Sequence, residues 1–133
     1  MRLVFDACAL IAALKHEPNH EIVLELLAGK DNDCFVHGAN LCEVFYDVAA
    51  TQGETRAEVV VDYLLDMGLE PCDDMDREFW QEAGRYKARY HRVSLADCFC
   101  LALSVRLNGE LVTCDHEFDA VAASGVCKMR FIR

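Results

Sequence analysis

Apolar runs and periodic stretches alternate along the chain, and each change of period marks a new element. Arg2–Asp6 reads as a short strand, and the uniformly apolar Ala7–Leu14 that follows reads as a buried helix. Pro18 suits the first turn of a second helix, with Ile22, Val23, Leu26 and Leu27 on one face and Gly29 near its end. Cys34–His37 is a second strand, and a helix runs from Asn40 to about Thr51. Thr55 and Glu58 are spaced as a capping box that opens another helix, closed by Gly68, before a brief strand over Leu69–Cys72. Between Asp76 and His91, Phe79, Ala83, Tyr86 and Tyr90 fall on one helical stripe. Ser94 caps a long apolar helix that ends near Asn108 and Gly109. Glu110–Cys114 is a strand, a short helix reaches Ala123, and Cys127–Ile132 is the last strand. Strands alternating with helices predict an α/β fold with a central, mainly parallel sheet.

No repeat, low-complexity tract or linker interrupts this pattern, so residues 1–133 are expected to form a single domain. Apolar residues make up 53% of the chain and charged residues 27%, which excludes a disordered chain. The longest apolar run near the start is too short to span a bilayer, and Asp6 interrupts what would be the core of a signal peptide. A cytoplasmic protein that avoids membranes is the expectation. Eight cysteines raise the question of disulfides. Cys8, Cys42, Cys98 and Cys100 sit inside apolar runs, and no C-x-x-C pair occurs, so the expectation is reduced, buried thiols and no structural zinc.

Four carboxylates stand in unfavourable surroundings. Asp6 is the only charge between Leu3 and Leu14, Glu43 the only one between Gly38 and Tyr46, and Asp97 the only one between Leu95 and Val105. Burying an unpaired carboxylate costs several kcal/mol or keeps it protonated. Helix capping explains any one of them: Asn40 to Glu43 and Ser94 to Asp97 match capping boxes, and Asp6 and Asp115 can each be an N-cap. Their joint placement points further. Asp6 and Asp115 follow strands while Glu43 and Asp97 open helices, and the carboxyl ends of strands line the ligand crevice of open α/β sheets. Four acids meeting there suit a hard cation.

The segments around Asp6 (Leu3 to Leu10), Glu43, Asp97 (from Ser94) and Asp115 (Leu111 to Phe118) resemble, in order and spacing, the four acidic motifs of PIN domains. The length resembles that of VapC-type toxins in particular. The resemblance implies a PIN-like α/β/α sandwich and an endoribonuclease dependent on Mg²⁺ or Mn²⁺, commonly dimeric and silenced by a cognate antitoxin. It assigns Asp6, Glu43, Asp97 and Asp115 to the acidic quartet and Thr113 to a supporting hydroxyl. Asp119 is either a further acid at the rim or a solvated helix position. Cys8 departs from the pattern, because many members carry Ser or Thr there, and a lost hydroxyl weakens support of a metal. The alternative function is a PIN-fold binding module with weakened catalysis.

The net charge of −10 argues against a passive nucleic-acid binder. The densest basic stretch, with Arg85, Lys87, Arg89 and Arg92, runs into the Asp97 motif and is the candidate contact for RNA phosphates. Tyr86 and Tyr90 are candidates either for stacking on a base or for the core.

Overall fold

The computed structural model describes residues 1–133. Its five strands are β1 (Arg2–Phe5), β2 (Asp33–His37), β3 (Leu69–Cys72), β4 (Glu110–Thr113) and β5 (Met129–Phe131). They pair in the order β3-β2-β1-β4-β5, and every pairing is parallel. The helices are α1 (Ala7–Leu14), α2 (His20–Ala28), α3 (Gly38–Gln52), α4 (Glu54–Asp66), α5 (Arg77–Arg89), α6 (Leu95–Arg106) and α7 (Asp119–Ser124), with a 3₁₀ turn over His116–Phe118.

Side-chain alternation in the strands builds a core on each face. Leu3 and Phe5 of β1 join Val36 and Val112 against Leu10 of α1, Val23 of α2, Val44 of α3 and Leu64 of α4. Val4 points the other way, with Leu111, onto Phe79 and Ala83 of α5, Leu101 of α6 and Val121 of α7. A sheet covered on both faces explains why its strands read as continuous apolar runs. Strand order reverses on the two sides of β1, so the crevice above the carboxyl ends of β1 and β4 is the topological switch point.

Several local expectations need correction. Helix α2 starts at His20, two residues after Pro18, with Asn19 left-handed (φ 67°) at its N-cap, and Ile22 is exposed. Gly53, not a Thr55 box, precedes α4. Helix α3 begins at Gly38 with His37 as its cap, so Asn40 lies inside the helix rather than at its start. The thiols are not uniformly reduced or buried: Cys8 and Cys114 are bonded to each other, and Cys42 is exposed. Contacts 106 residues apart leave no local trace in a sequence.

Candidate active site

Asp6 follows β1 directly and extends its ladder, because its N–H donates to the Val112 carbonyl at 3.1 Å. It then caps α1: its Oδ1 accepts from the Ala9 N–H at 2.8 Å. The side chain is fully buried. Its other oxygen, Oδ2, accepts from the hydroxyl of Thr113, itself buried at the end of β4. That same hydroxyl oxygen accepts from the Asp115 N–H at 2.9 Å. One threonine thus ties the acid after β1 to the backbone of the acid after β4.

Asp115 caps the 3₁₀ turn, its Oδ1 accepting from the Glu117 N–H at 2.9 Å. Asp97 lies in the first turn of α6, where the Ser94 hydroxyl oxygen accepts from its N–H at 3.1 Å. Glu43 is half-buried on α3. Capping therefore accounts for one oxygen each of Asp6 and Asp115. It does not explain why the four carboxylates lie near enough to raise one another's titration.

Their electrostatics show the crowding. Burial pushes the Asp6 carboxyl up to about 8; the Thr113 and Ala9 hydrogen bonds oppose this, and the charges of Asp97 and Asp115 add to it. Burial raises Asp97 to about 6, with repulsion from Glu43 and Asp115 in the same direction and the Ser94 hydroxyl against it. Glu43 is raised by burial and then by Asp115. Not one of the four joins an ion pair with Lys, Arg or His. Acids that act on one another in this way without a protein cation beside them are an incomplete electrostatic arrangement.

Asn40 is the residue that sequence reasoning missed. It is fully buried, and its Nδ2 donates to the Ala96 carbonyl at 3.1 Å, beside Asp97. Its Oδ1 has no partner. The available signal was its place one turn before Glu43, on the same face of α3. His37 takes the cap instead: its Nδ1 accepts from the Ala39 N–H at 3.0 Å and its Nε2 donates to the Asp74 carbonyl at 2.9 Å. Its ring stacks on Phe79 and Phe99.

Carboxylates and a partnerless amide oxygen such as that of Asn40 are the kinds of group that Mg²⁺ and Mn²⁺ prefer. No three His, Cys, Asp or Glu side chains converge into a ready cage. An open set suits Mg²⁺, which keeps several waters and takes one or two carboxylates. A cavity of about 460 Å³, lined by residues including Arg2, Gly109 and Lys128, lies at the opposite end of the strands, away from the acids.

The remaining candidates divide. Asp119 is exposed and bonded to His116 Nδ1 at 2.9 Å, while His116 Nε2 donates to the Arg133 carbonyl, so both serve the C-terminal packing. Cys8 carries no free thiol, and Cys114 is equally engaged. Lys87 donates to the His91 and Val93 carbonyls at 2.8 and 2.9 Å, closing the turn between α5 and α6. Arg85 pairs with Glu82 across one helical turn. Arg89 and Arg92 are exposed. Tyr86 is buried and so not free to stack on a base, while the half-buried Tyr90 donates its hydroxyl to Ser124.

Residues 3–124 match the family model of the PIN domain. Comparison with curated proteins returns no match. Among solved structures, VapBC2 from Rickettsia felis bound to a DNA fragment from its promoter is similar, with a TM-score of 0.76, 20% identity and 98% of each chain covered. VapBC-1 from nontypeable Haemophilus influenzae follows at TM-score 0.74 and 14% identity, covering 99% of this chain and 98% of that one. The Mycobacterium tuberculosis toxin VapC20, described as cleaving the sarcin-ricin loop, gives 0.72 and 16% over 90% and 94%. Family match, strand order and the acid-lined switch point agree: the chain belongs to the PIN domain family and has the α/β/α fold seen in VapBC toxin–antitoxin structures.

Proposed function

We propose that this protein is an endoribonuclease dependent on Mg²⁺ or Mn²⁺ and acts in the cytoplasm as the toxin of a toxin–antitoxin pair. The observation that carries the reading is the quartet Asp6, Glu43, Asp97 and Asp115, gathered at the switch point with no protein cation beside it. These four, with the free oxygen of Asn40, are the residues that would hold the ion. When bound, such an ion polarises the phosphodiester and makes water a competent nucleophile, so that the expected products are a 5′-phosphate and a 3′-hydroxyl. Thr113 fixes the rotamer of Asp6 and the position of Asp115 together. Arg89 and Arg92, exposed before α6, contact RNA phosphates and orient the strand.

The proposed partners are a second copy of the chain and an antitoxin, whose Arg satisfies Asp6, Asp97 and Asp115 in place of metal. Growth of bacteria expressing the chain alone tests the reading. Arrest that disappears with Asp97→Asn is expected. Arrest that persists in the variant places toxicity outside this site and favours a binding module.

A further inference from the structure

The Cys8–Cys114 bond joins the segment that follows β1 to the one that follows β4, and both residues pack with the core cluster that includes Leu10 and Val112. Cys8 lies two residues after Asp6 in the first turn of α1, and Cys114 lies between Thr113 and Asp115. Their Cα atoms are 6.0 Å apart, although 106 residues separate them along the chain. The fold does not depend on the bond to bring these segments together, since β1 and β4 are already paired and Asp6 continues that pairing. Opening it therefore leaves the strand pairing in place while loosening the hold on two acid-bearing segments. We propose that Cys8 and Cys114 form a reversible thiol–disulfide couple whose oxidised state preorganises the carboxylate site and tightens its hold on a divalent cation.

The direction follows from what else holds the two segments together. Apart from the disulfide, the Thr113 hydroxyl is the side chain that ties Asp6 to the backbone of Asp115. The closed bridge limits how far the two backbones can drift apart. An open one lets the turn carrying Asp115 relax away, and misplaced supporting groups typically cost a metal site tenfold or more in affinity. Access is one-sided, because Cys8 is half-buried whereas Cys114 is buried.

A hydroperoxide is a suitable oxidant. The Cys8 sulfur attacks the peroxide oxygen, breaking the O–O bond and releasing water once protonated, which leaves a sulfenic acid. The Cys114 thiol displaces a second water as the S–S bond forms. Two electrons pass from the sulfurs to one hydrogen peroxide, giving one disulfide and two waters. A dithiol reverses this by exchange at Cys8 through a mixed disulfide and is itself oxidised.

The coupling rests on the metal-dependent reading above, so its test separates the two. Intact protein is reduced with a phosphine or oxidised with hydrogen peroxide, freed of reagent without air, and alkylated after unfolding. Peptide mapping then locates the blocked thiols, and Mn²⁺ is titrated by calorimetry without RNA. Cys8 and Cys114 are expected to be alkylated only in the reduced form, and Mn²⁺ to bind about tenfold tighter to the oxidised form. Cys114→Ala should show the weaker affinity under both treatments. Circular dichroism confirms that both forms and the variant are folded. Equal Mn²⁺ affinity in both forms overturns the coupling alone. Failure of the pair to open and close overturns the couple, and absence of Mn²⁺ binding in either form overturns the metal reading and the coupling with it.

Discussion

Asp6 shows how burial acts on a capping residue. Both Asp6 and Asp97 titrate above their ordinary value of 3.8, at about 8 and about 6. A carboxyl raised in the folded state contributes stability that is complete below its unfolded value and is lost as pH climbs through the folded one. Metal-free protein is therefore expected to lose thermal stability from about pH 4 to about pH 8, most steeply below about pH 6, where both carboxyls contribute. The loss is roughly 1.4 kcal/mol per pH unit for each carboxyl that stays protonated only while the chain is folded. Asp6→Asn should flatten most of that decline, as should Mg²⁺ at pH 8. An unchanged slope in Asp6→Asn would show that the carboxylate is not desolvated. Thr113→Val tests the tie between the segments: two hydrogen bonds go, stability should fall by about 1–3 kcal/mol, and metal affinity by tenfold or more. The isolated acids were visible in the sequence because a lone charge in an apolar run is conspicuous. Asn40 was not, because a neutral amide at a helix start looks like a cap, and only the fold shows that His37 has taken that place.

Elements were legible where one local signal decided them. Ala7–Leu14 and Leu69–Cys72 have the same bounds in sequence and structure, and Ser94 caps α6 as its spacing indicates. The start of α2 was less legible, because the left-handed Asn19 gives no periodic signal. Ser94→Ala should cost about 1 kcal/mol and loosen the turn that presents Asp97, a loss to be read from thermal melts. The basic stretch on α5 divides for a structural reason. Lys87 closes the α5–α6 turn, so Lys87→Met should lower the melting temperature and leave the salt dependence of RNA binding unchanged. A lost phosphate contact without a change in stability would instead put Lys87 on the RNA. The disulfide acts at this scale too. It closes a loop of about a hundred residues, and bridges of that span contribute about 4–5 kcal/mol in chain-entropy terms, so reduction should lower the melting temperature measurably.

Across the whole molecule, an acidic protein must bind a polyanion through few contacts. The net charge is −10, and no helix is long and apolar enough to cross a membrane. Arg89→Glu combined with Arg92→Glu should weaken RNA binding and reduce its salt slope by about 1.4, the share of two phosphate contacts on a single strand. An unchanged slope would place the RNA elsewhere. The fold class was legible because the alternation of apolar runs and helical stripes is a property of the whole chain. The strand order was not, since parallel strands are joined through helices that leave several orders open. That order puts Asp6 and Asp115 just past the carboxyl ends of adjacent strands. Cleavage of RNA by the purified chain in excess chelator, then in Mg²⁺ or Mn²⁺, tests the quartet most directly, with Asp97→Asn beside the wild type. The account predicts no cleavage with chelator, recovery when either ion is added back, and no recovery in Asp97→Asn; full cleavage in chelator, or undiminished cleavage by the variant, would contradict it.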